Sequence, residues 1–304
     1  MRDPIVSPLT GTSRVEPLQK LDTRTLIQMW KESFGIDTSD EFGTVEEVQK
    51  LRCLDSGLMF YRPTQCAGGT RLYRELGRHS WYYMEQKWEY DTVVRHLPRQ
   101  GRLLEVGCGK GFFLKKAVQK GWAARGLELG APTETDPQDC EFSITGESVE
   151  RHAELHPTAY DAVCAFQVLE HVVDPLSFLK ACVALLAPRG RLFLGTPNAQ
   201  SFLKHSFNLL DMPPHHLTGW NKQAFQFLQK ILPLKIEKVL YEPLAQYHLD
   251  YFIQTYRARF KSCADLRGIW TRGIGHIFAK ALLKAGARHW IRGQSMLVAF
   301  RKAN

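Results

Sequence analysis

Three glycines at alternate positions, Gly107, Gly109 and Gly111, follow the apolar run Leu103-Leu104-Glu105-Val106 and precede Phe112-Phe113-Leu114. A buried strand that runs through such a loop into a helix confines the chain to α/β architectures with the loop at the carboxyl edge of a sheet. Glycine accepts turn geometries closed to larger residues, and it carries no side chain to keep a ligand away from main-chain N–H groups. The loop reads as a nucleotide-cofactor site, with Glu105, Gly107, Cys108, Gly109 and Gly111 as candidate contacts.

Spacing narrows the cofactor. Dinucleotide folds use G-x-G-x-x-G, and the position of the third glycine is Phe112 here. The pattern G-x-G-x-G, with Glu105 two residues ahead, resembles motif I of the class I S-adenosyl-methionine-dependent methyltransferases. That resemblance implies S-adenosyl-methionine as cofactor. A helix over Phe112–Lys120 and a strand over Ala123–Glu128 put Glu128 at a carboxyl end, with Leu129 beside it. A carboxylate there can accept both hydroxyls of a ribose, which suits a dinucleotide and an adenosyl group equally.

The run Tyr160-Asp161-Ala162-Val163-Cys164-Ala165-Phe166-Gln167-Val168-Leu169-Glu170-His171-Val172-Val173-Asp174-Pro175 is an apolar strand leading to a helix start, with Asp174 as N-cap and Pro175 as first helical residue. It resembles motif IV of small-molecule methyltransferases and adds Phe166 and Gln167 as cofactor contacts. In the same resemblance Glu147 and Ser148, after the third strand, lie where adenine contacts arise.

Strands are expected near 102–108, 123–128, 140–145, 160–168, 190–196, 235–241 and 295–302, with helices near 111–121, 174–187 and 221–232. The fold class is a doubly wound, Rossmann-like α/β sheet, and the resemblance implies seven strands with the last antiparallel. Between the ribose strand and the third strand the segment Gly130–Asp139 has two prolines and no apolar period, so the family's helix is expected to be lost there. The expected organisation is an N-terminal segment over 1–70, an aromatic helical segment over 71–100 covering the cofactor, a methyltransferase core over 101–243 and 293–304, and a helical insertion or lid over 244–292.

Two N-terminal features extend the resemblance. Ser7, Thr10, Cys53 and Ser56 fall where a small zinc ribbon would carry its four ligands, but only Cys53 can serve as a thiolate. No metal is expected, and packing around Leu58, Met59 and Phe60 is expected to keep the ribbon's shape. Trp81, Tyr82, Tyr83 and Trp88 resemble the tyrosine-rich helix that closes over the cofactor, with Tyr82 and Tyr83 flanking its cationic methionine half.

Methyl transfer is an in-line displacement, so few catalytic groups are obligatory, but a hydroxyl nucleophile gains from a base such as histidine. His171 follows Glu170 at the end of the fourth strand. His215 and His216 lie in Pro213-Pro214-His215-His216-Leu217-Thr218-Gly219-Trp220, which resembles the family's P-P-H-H-x-T-x-W loop. These three are the catalytic candidates, and packing against Trp220 or capping of the helix at Asn221 is the competing role for the pair.

The chain is expected to be a soluble, cytoplasmic enzyme acting on a small molecule or glycan. No apolar run approaches a membrane span, the start Met1-Arg2-Asp3-Pro4 has no signal core, and seven scattered cysteines suit a reducing compartment. The formal charge of +9, concentrated toward the C-terminus, suits an anionic membrane face, a carrier or a phosphorylated substrate. RNA methylation ranks low for want of an RNA-binding module or signature, a nicotinamide oxidoreductase is opposed by Phe112, and a noncatalytic cofactor-binding protein is opposed by the intact glycines. Transfer to oxygen, nitrogen or carbon and the oligomeric state stay open.

Overall fold

The computed structural model describes residues 4–130, 142–260 and 274–303. The chain opens with β1 (Val15–Asp22), α1 (Thr23–Phe34), the single turn α2 (Ser39–Phe42), β2 (Glu47–Cys53), β3 (Met59–Arg62) and α3 (Thr70–Leu76). Then come α4 (Trp88–His96), β4 (Arg102–Val106), α5 (Phe112–Gln119), β5 (Ala123–Leu127), β6 (Ser143–Thr145), α6 (Val149–Leu155), β7 (Tyr160–Phe166), α7 (Pro175–Leu185) and β8 (Leu186–Pro197). The chain continues through β9 (Thr218–Gly219), α8 (Lys222–Ile231), β10 (Leu234–Pro243), α9 (Leu249–Phe260), α10 (Ile274–Lys284) and β11 (Arg292–Lys302).

Seven strands form the larger sheet in the order β10-β11-β8-β7-β4-β5-β6. The pairs β4–β5, β5–β6, β4–β7 and β7–β8 are parallel, and β11 runs antiparallel to both β8 and β10. Successive strand residues face opposite ways. Leu104, Val106, Val163, Ala165, Leu192 and Leu194 enter one core, packed with Phe178 and Leu179 of α7 and Phe225 and Leu228 of α8. Leu103, Ala162, Cys164, Phe166 and Phe193 enter the other, packed with Val93 of α4 and Phe113 and Leu114 of α5. A sheet apolar on both faces must be covered on both, which is the doubly wound arrangement. The strand order reverses at β4, whose carboxyl end carries the glycine loop.

A second, four-stranded sheet has the order β1-β2-β3-β9, so the N-terminal segment takes its last strand from the loop that carries His215 and His216. Its core of Leu26, Trp30, Phe42, Val48 and Tyr61 also takes in Leu209 and Met212 of that loop. Asp22 caps α1 through the Thr25 N–H, and Gly35 closes it in the left-handed region at φ 70°. Leu58 and Phe60 are fully buried. Around them Thr10 Oγ1 lies 3.6 Å from Cys53 Sγ, and the Ser56 N–H donates to the same sulfur at 3.5 Å.

One expectation changes. The aromatic segment is not one helix: α3 ends at Gly77, whose N–H reaches the Tyr73 carbonyl, turns carry the chain to Lys87, and α4 starts at Trp88. Aromatic side chains lose rotamer freedom in a helix, and here they stack on histidines instead, His79 on Trp81 at 5.3 Å. The insertion contains α9 and α10, which pack with Phe202 and Leu203. The helix expected to be lost after Gly130 falls on residues 131–141, outside the described ones.

Candidate active site

The glycine loop is tied to the neighbouring strand. The Gly107 and Cys108 N–H groups both donate to the Leu127 carbonyl, at 2.7 and 3.1 Å, and the Gly109 N–H donates to Glu128 Oε2 at 2.8 Å. Glu128 is thereby fixed at the end of β5 against the glycine loop. Gly107 sits at φ +70°, and a Cβ there would lie 2.4 Å from Val168 Cγ2, so only glycine fits. Gly109, at φ +53°, would place a Cβ 3.2 Å from the ring of Tyr83.

From that ring a continuous line of contacts leads away from the loop. Tyr83 packs edge-on to Tyr82 at 5.1 Å between centroids, and the Tyr82 hydroxyl donates to His215 Nε2 at 3.0 Å. His215 stacks on His216 at 4.4 Å, and His171 stands edge-on to both, at 4.6 and 4.8 Å. Tyr73 closes the group with its hydroxyl 3.2 Å from His171 Nδ1. His171 and the His215–His216 pair, more than forty residues apart in sequence, thus share one buried cluster.

Burial sets the charge state. It pushes the His171 imidazole down to about 4, against the pull of the His215 and Gln167 carbonyls, and holds His215 and His216 well below the usual histidine range. All three are neutral near pH 7. Glu170 is 1% exposed, neither of its oxygens has a hydrogen-bond partner, and burial raises it to about 8. Burial likewise raises Asp211, 3.5 Å from His216 Nδ1, to about 6.

A family model described as a methyltransferase domain matches residues 80–231, the stretch from the tyrosines through the glycine loop to the histidine pair and α8. The chain belongs to this methyltransferase family. It is of the S-adenosyl-methionine-dependent class with the class I fold. It is 36% identical over 102 residues to a ubiquinone biosynthesis O-methyltransferase of Sodalis glossinidius, covering 32% of this chain and 41% of that one. To the protein of that name from Yersinia enterocolitica it is 35% identical over 103 residues, covering 32% and 43%. The chain thus spans about two fifths of the length of the curated relatives it matches. A solved Burkholderia thailandensis 1,6-didemethyltoxoflavin-N1-methyltransferase is 13% identical, covering 83% of this chain and 98% of that one, with a TM-score of 0.49.

The methyltransferase's own residues fit the cofactor. Glu105 is fully buried under the loop with Oε2 unpartnered, an acceptor left over by the protein, and burial raises its carboxyl well above the usual range. Gly109 leaves room beneath Tyr83 that any side chain would fill. These residues, with Glu128, are the ones that would hold the donor. Other candidates are placed differently. Cys108 and Phe166 turn their side chains into the core, Phe166 against Phe113 at 4.9 Å, which leaves only their backbone to the site. Gln167, in the left-handed region at φ 58°, donates to Glu89 Oε1 at 2.8 Å. Leu129 is exposed, Glu147 is engaged with His152 Nδ1 at 2.8 Å, and Ser148 caps α6 through the Arg151 N–H.

Sequence reasoning missed Glu170, Asp211, Tyr73 and Glu89. Glu170 was legible as the middle of Leu-Glu-His. Asp211 stands four residues ahead of His215 in the same loop, while Tyr73 and Glu89 come from distant segments and carry no local pattern. Asn221 serves as its own helix's cap, accepting from the Ala224 N–H at 2.9 Å, so neither histidine takes that role.

Proposed function

We propose that this methyltransferase transfers the methyl group of S-adenosyl-methionine to a hydroxyl oxygen of a small-molecule or glycan-type acceptor in a biosynthetic pathway. The observation that carries the reading is the unbroken line of contacts from the glycine loop through Tyr83 and Tyr82 to the cluster of His171, His215 and His216. Displacement at a sulfonium methyl needs a nucleophile held close and collinear, with water excluded. The loop and Glu128 position the donor, the tyrosine faces favour its cationic end, and the histidines receive the acceptor. Neutral imidazoles there accept the hydrogen of a hydroxyl. Burial raises Glu170, 4.0 Å from His171 Nε2, to about 8, so that carboxyl already holds its proton near pH 7 and the neutral imidazoles are the groups open to the one released.

The relatives' printed names, O-methyltransferases of ubiquinone biosynthesis, support oxygen as the target and a small molecule as the acceptor. The α10 helix exposes Ile277 and Leu282 and carries Lys280 and Lys284, which supports peripheral contact with an anionic membrane or a carrier. No helix among the described residues is long and apolar enough to cross a membrane.

Calorimetry with S-adenosyl-methionine, S-adenosyl-homocysteine and NAD tests the cofactor, and transfer of labelled methyl to phenols, sugar nucleotides, amines and bulk RNA tests the acceptor. Binding of the first two ligands and labelling of a hydroxyl compound support the reading. Binding of NAD instead, or labelling confined to amines or RNA, overturns it.

A further inference from the structure

Two histidines of the cluster are held from behind through Nδ1. His171 Nδ1 lies 2.6 Å from the His215 carbonyl, and a carbonyl only accepts, so the hydrogen is on Nδ1 and Nε2 keeps its lone pair. His215 repeats the pattern, its Nδ1 donating to the Leu210 carbonyl at 2.9 Å. His216 Nδ1 faces Asp211 Oδ1 at 3.5 Å. Fixing one ring nitrogen on a carbonyl or carboxylate so that the other is a free, basic ligand is how proteins prepare histidines for a metal. One ring nitrogen from each of the three lies within 4.8 Å of the others, the one such group of histidine, cysteine and acidic side chains among the described residues.

A second observation points the same way. Both side-chain oxygens of Glu170 and Oδ1 of Asp211 are buried with no hydrogen-bond partner. Acceptors buried without a donor are costly, and here three carboxylate oxygens without one stand beside three imidazoles. A dication supplies the positive charge this surrounding lacks.

We infer that His171, His215 and His216 form a binding site for one divalent first-row transition-metal ion. Three imidazoles and an open fourth position suit Zn2+, and nitrogen donors disfavour Mg2+ and Ca2+. On entry of the ion the Tyr82 hydroxyl releases His215 Nε2. That the fourth ligand is an oxygen of the acceptor rests on the function proposed above; the ion site itself does not. Spacing along the chain offers no hint of a metal, because His171 is separated from the pair by the whole of α7 and β8.

The test uses the full chain without a polyhistidine tag, stripped with a chelator. Titration with Co2+ is expected to give the intense visible bands of a low-coordinate nitrogen site at one ion per chain, bleached by Zn2+, with one Zn2+ retained after desalting by mass spectrometry of the metal. His171→Gln and His216→Gln should each weaken Zn2+ by more than the roughly 10–100-fold lost when only a supporting hydrogen bond is removed. Cys53→Ser, at the one thiol among the ribbon-like positions, should leave stoichiometry and bands unchanged. Calorimetry with S-adenosyl-homocysteine on each metal-free protein reports folding and the cofactor site separately. If a variant fails that check, Zn2+-dependent shifts of the histidine ring resonances of the wild-type protein decide. Substoichiometric metal, bands that survive both histidine variants or vanish in Cys53→Ser, or ring resonances indifferent to Zn2+ overturn the site, whether or not methyl transfer is found.

Discussion

Replacing Gly109 by alanine separates the loop's two uses of that residue. At φ +53° an alanine carries the left-handed penalty, roughly 1–2 kcal/mol. Gly35, the left-handed cap of α1 at φ +70°, has nothing within 4 Å of where an added methyl would stand, so Gly35→Ala bears that penalty alone. For a chain of this size each kcal/mol lowers Tm by roughly 2–4 °C, so both variants should melt about 2–8 °C below wild type. At Gly109 the methyl also meets Tyr83 Cε1 and Cδ1 at 3.2 and 3.3 Å, so the ring must yield by a few tenths of an ångström. It does so where the donor is proposed to lie. That should cost Gly109→Ala roughly 1.4–2.8 kcal/mol of binding, a tenfold to hundredfold rise in Kd for S-adenosyl-homocysteine by calorimetry. Gly35→Ala should bind as wild type does. Equal melting losses with unchanged Kd in both variants would refute the placement of the cofactor between loop and ring.

Glu128→Ala removes the acceptor that fixes the Gly109 N–H and is proposed to hold the ribose; it should raise the Kd for S-adenosyl-homocysteine at least about tenfold, and an unchanged Kd would sink the ribose role. His216→Ala should leave that Kd within about twofold while lowering turnover, measured by methyl transfer to whichever acceptor is labelled. Asn221→Ala deletes a helix cap and the donor to the buried Gly57 carbonyl, 2.8 Å away, and should cost roughly 2–3 kcal/mol in denaturant unfolding. Glu242 is buried and raised by desolvation from 4.5 to about 7. The folded state favours its protonated form, so its contribution is full below about pH 4.5 and is lost as pH rises to about 7. Glu242→Gln should therefore match wild type near pH 4.5 and exceed it by up to roughly 3 kcal/mol at pH 8, in unfolding followed across that range.

The sheet was legible because its central strands are apolar runs bounded by breakers, and because Asp174-Pro175 is a strong local start signal whose cap forms as expected. The antiparallel setting of β11 came only through family resemblance, since an apolar run has the same pattern in either direction. Within the site, the glycines and Glu128 follow one another in sequence, so spacing sufficed. The meeting of His171 with His215 and His216 depends on where the loop after β8 returns, and no periodicity encodes that. The turns over 77–87 escaped for a different reason: aromatic residues that fit a helix by pattern instead stack on His79 and tilt against His215.

The shared strand β9 has a consequence for where this enzyme can be divided. Tyr61 receives the loop's Leu217 carbonyl on its N–H and donates its hydroxyl to the Asp211 carbonyl, and the Gly68 N–H donates to the Pro214 carbonyl at 2.7 Å. A chain cut at residue 79, just ahead of the family's own boundary, would keep every site glycine and histidine discussed above yet strip the scaffolding from the segment that presents two of those histidines. The first seventy residues thus buttress the loop proposed to receive the acceptor, and exchanging them between relatives should change acceptor choice more than it changes how the donor is held.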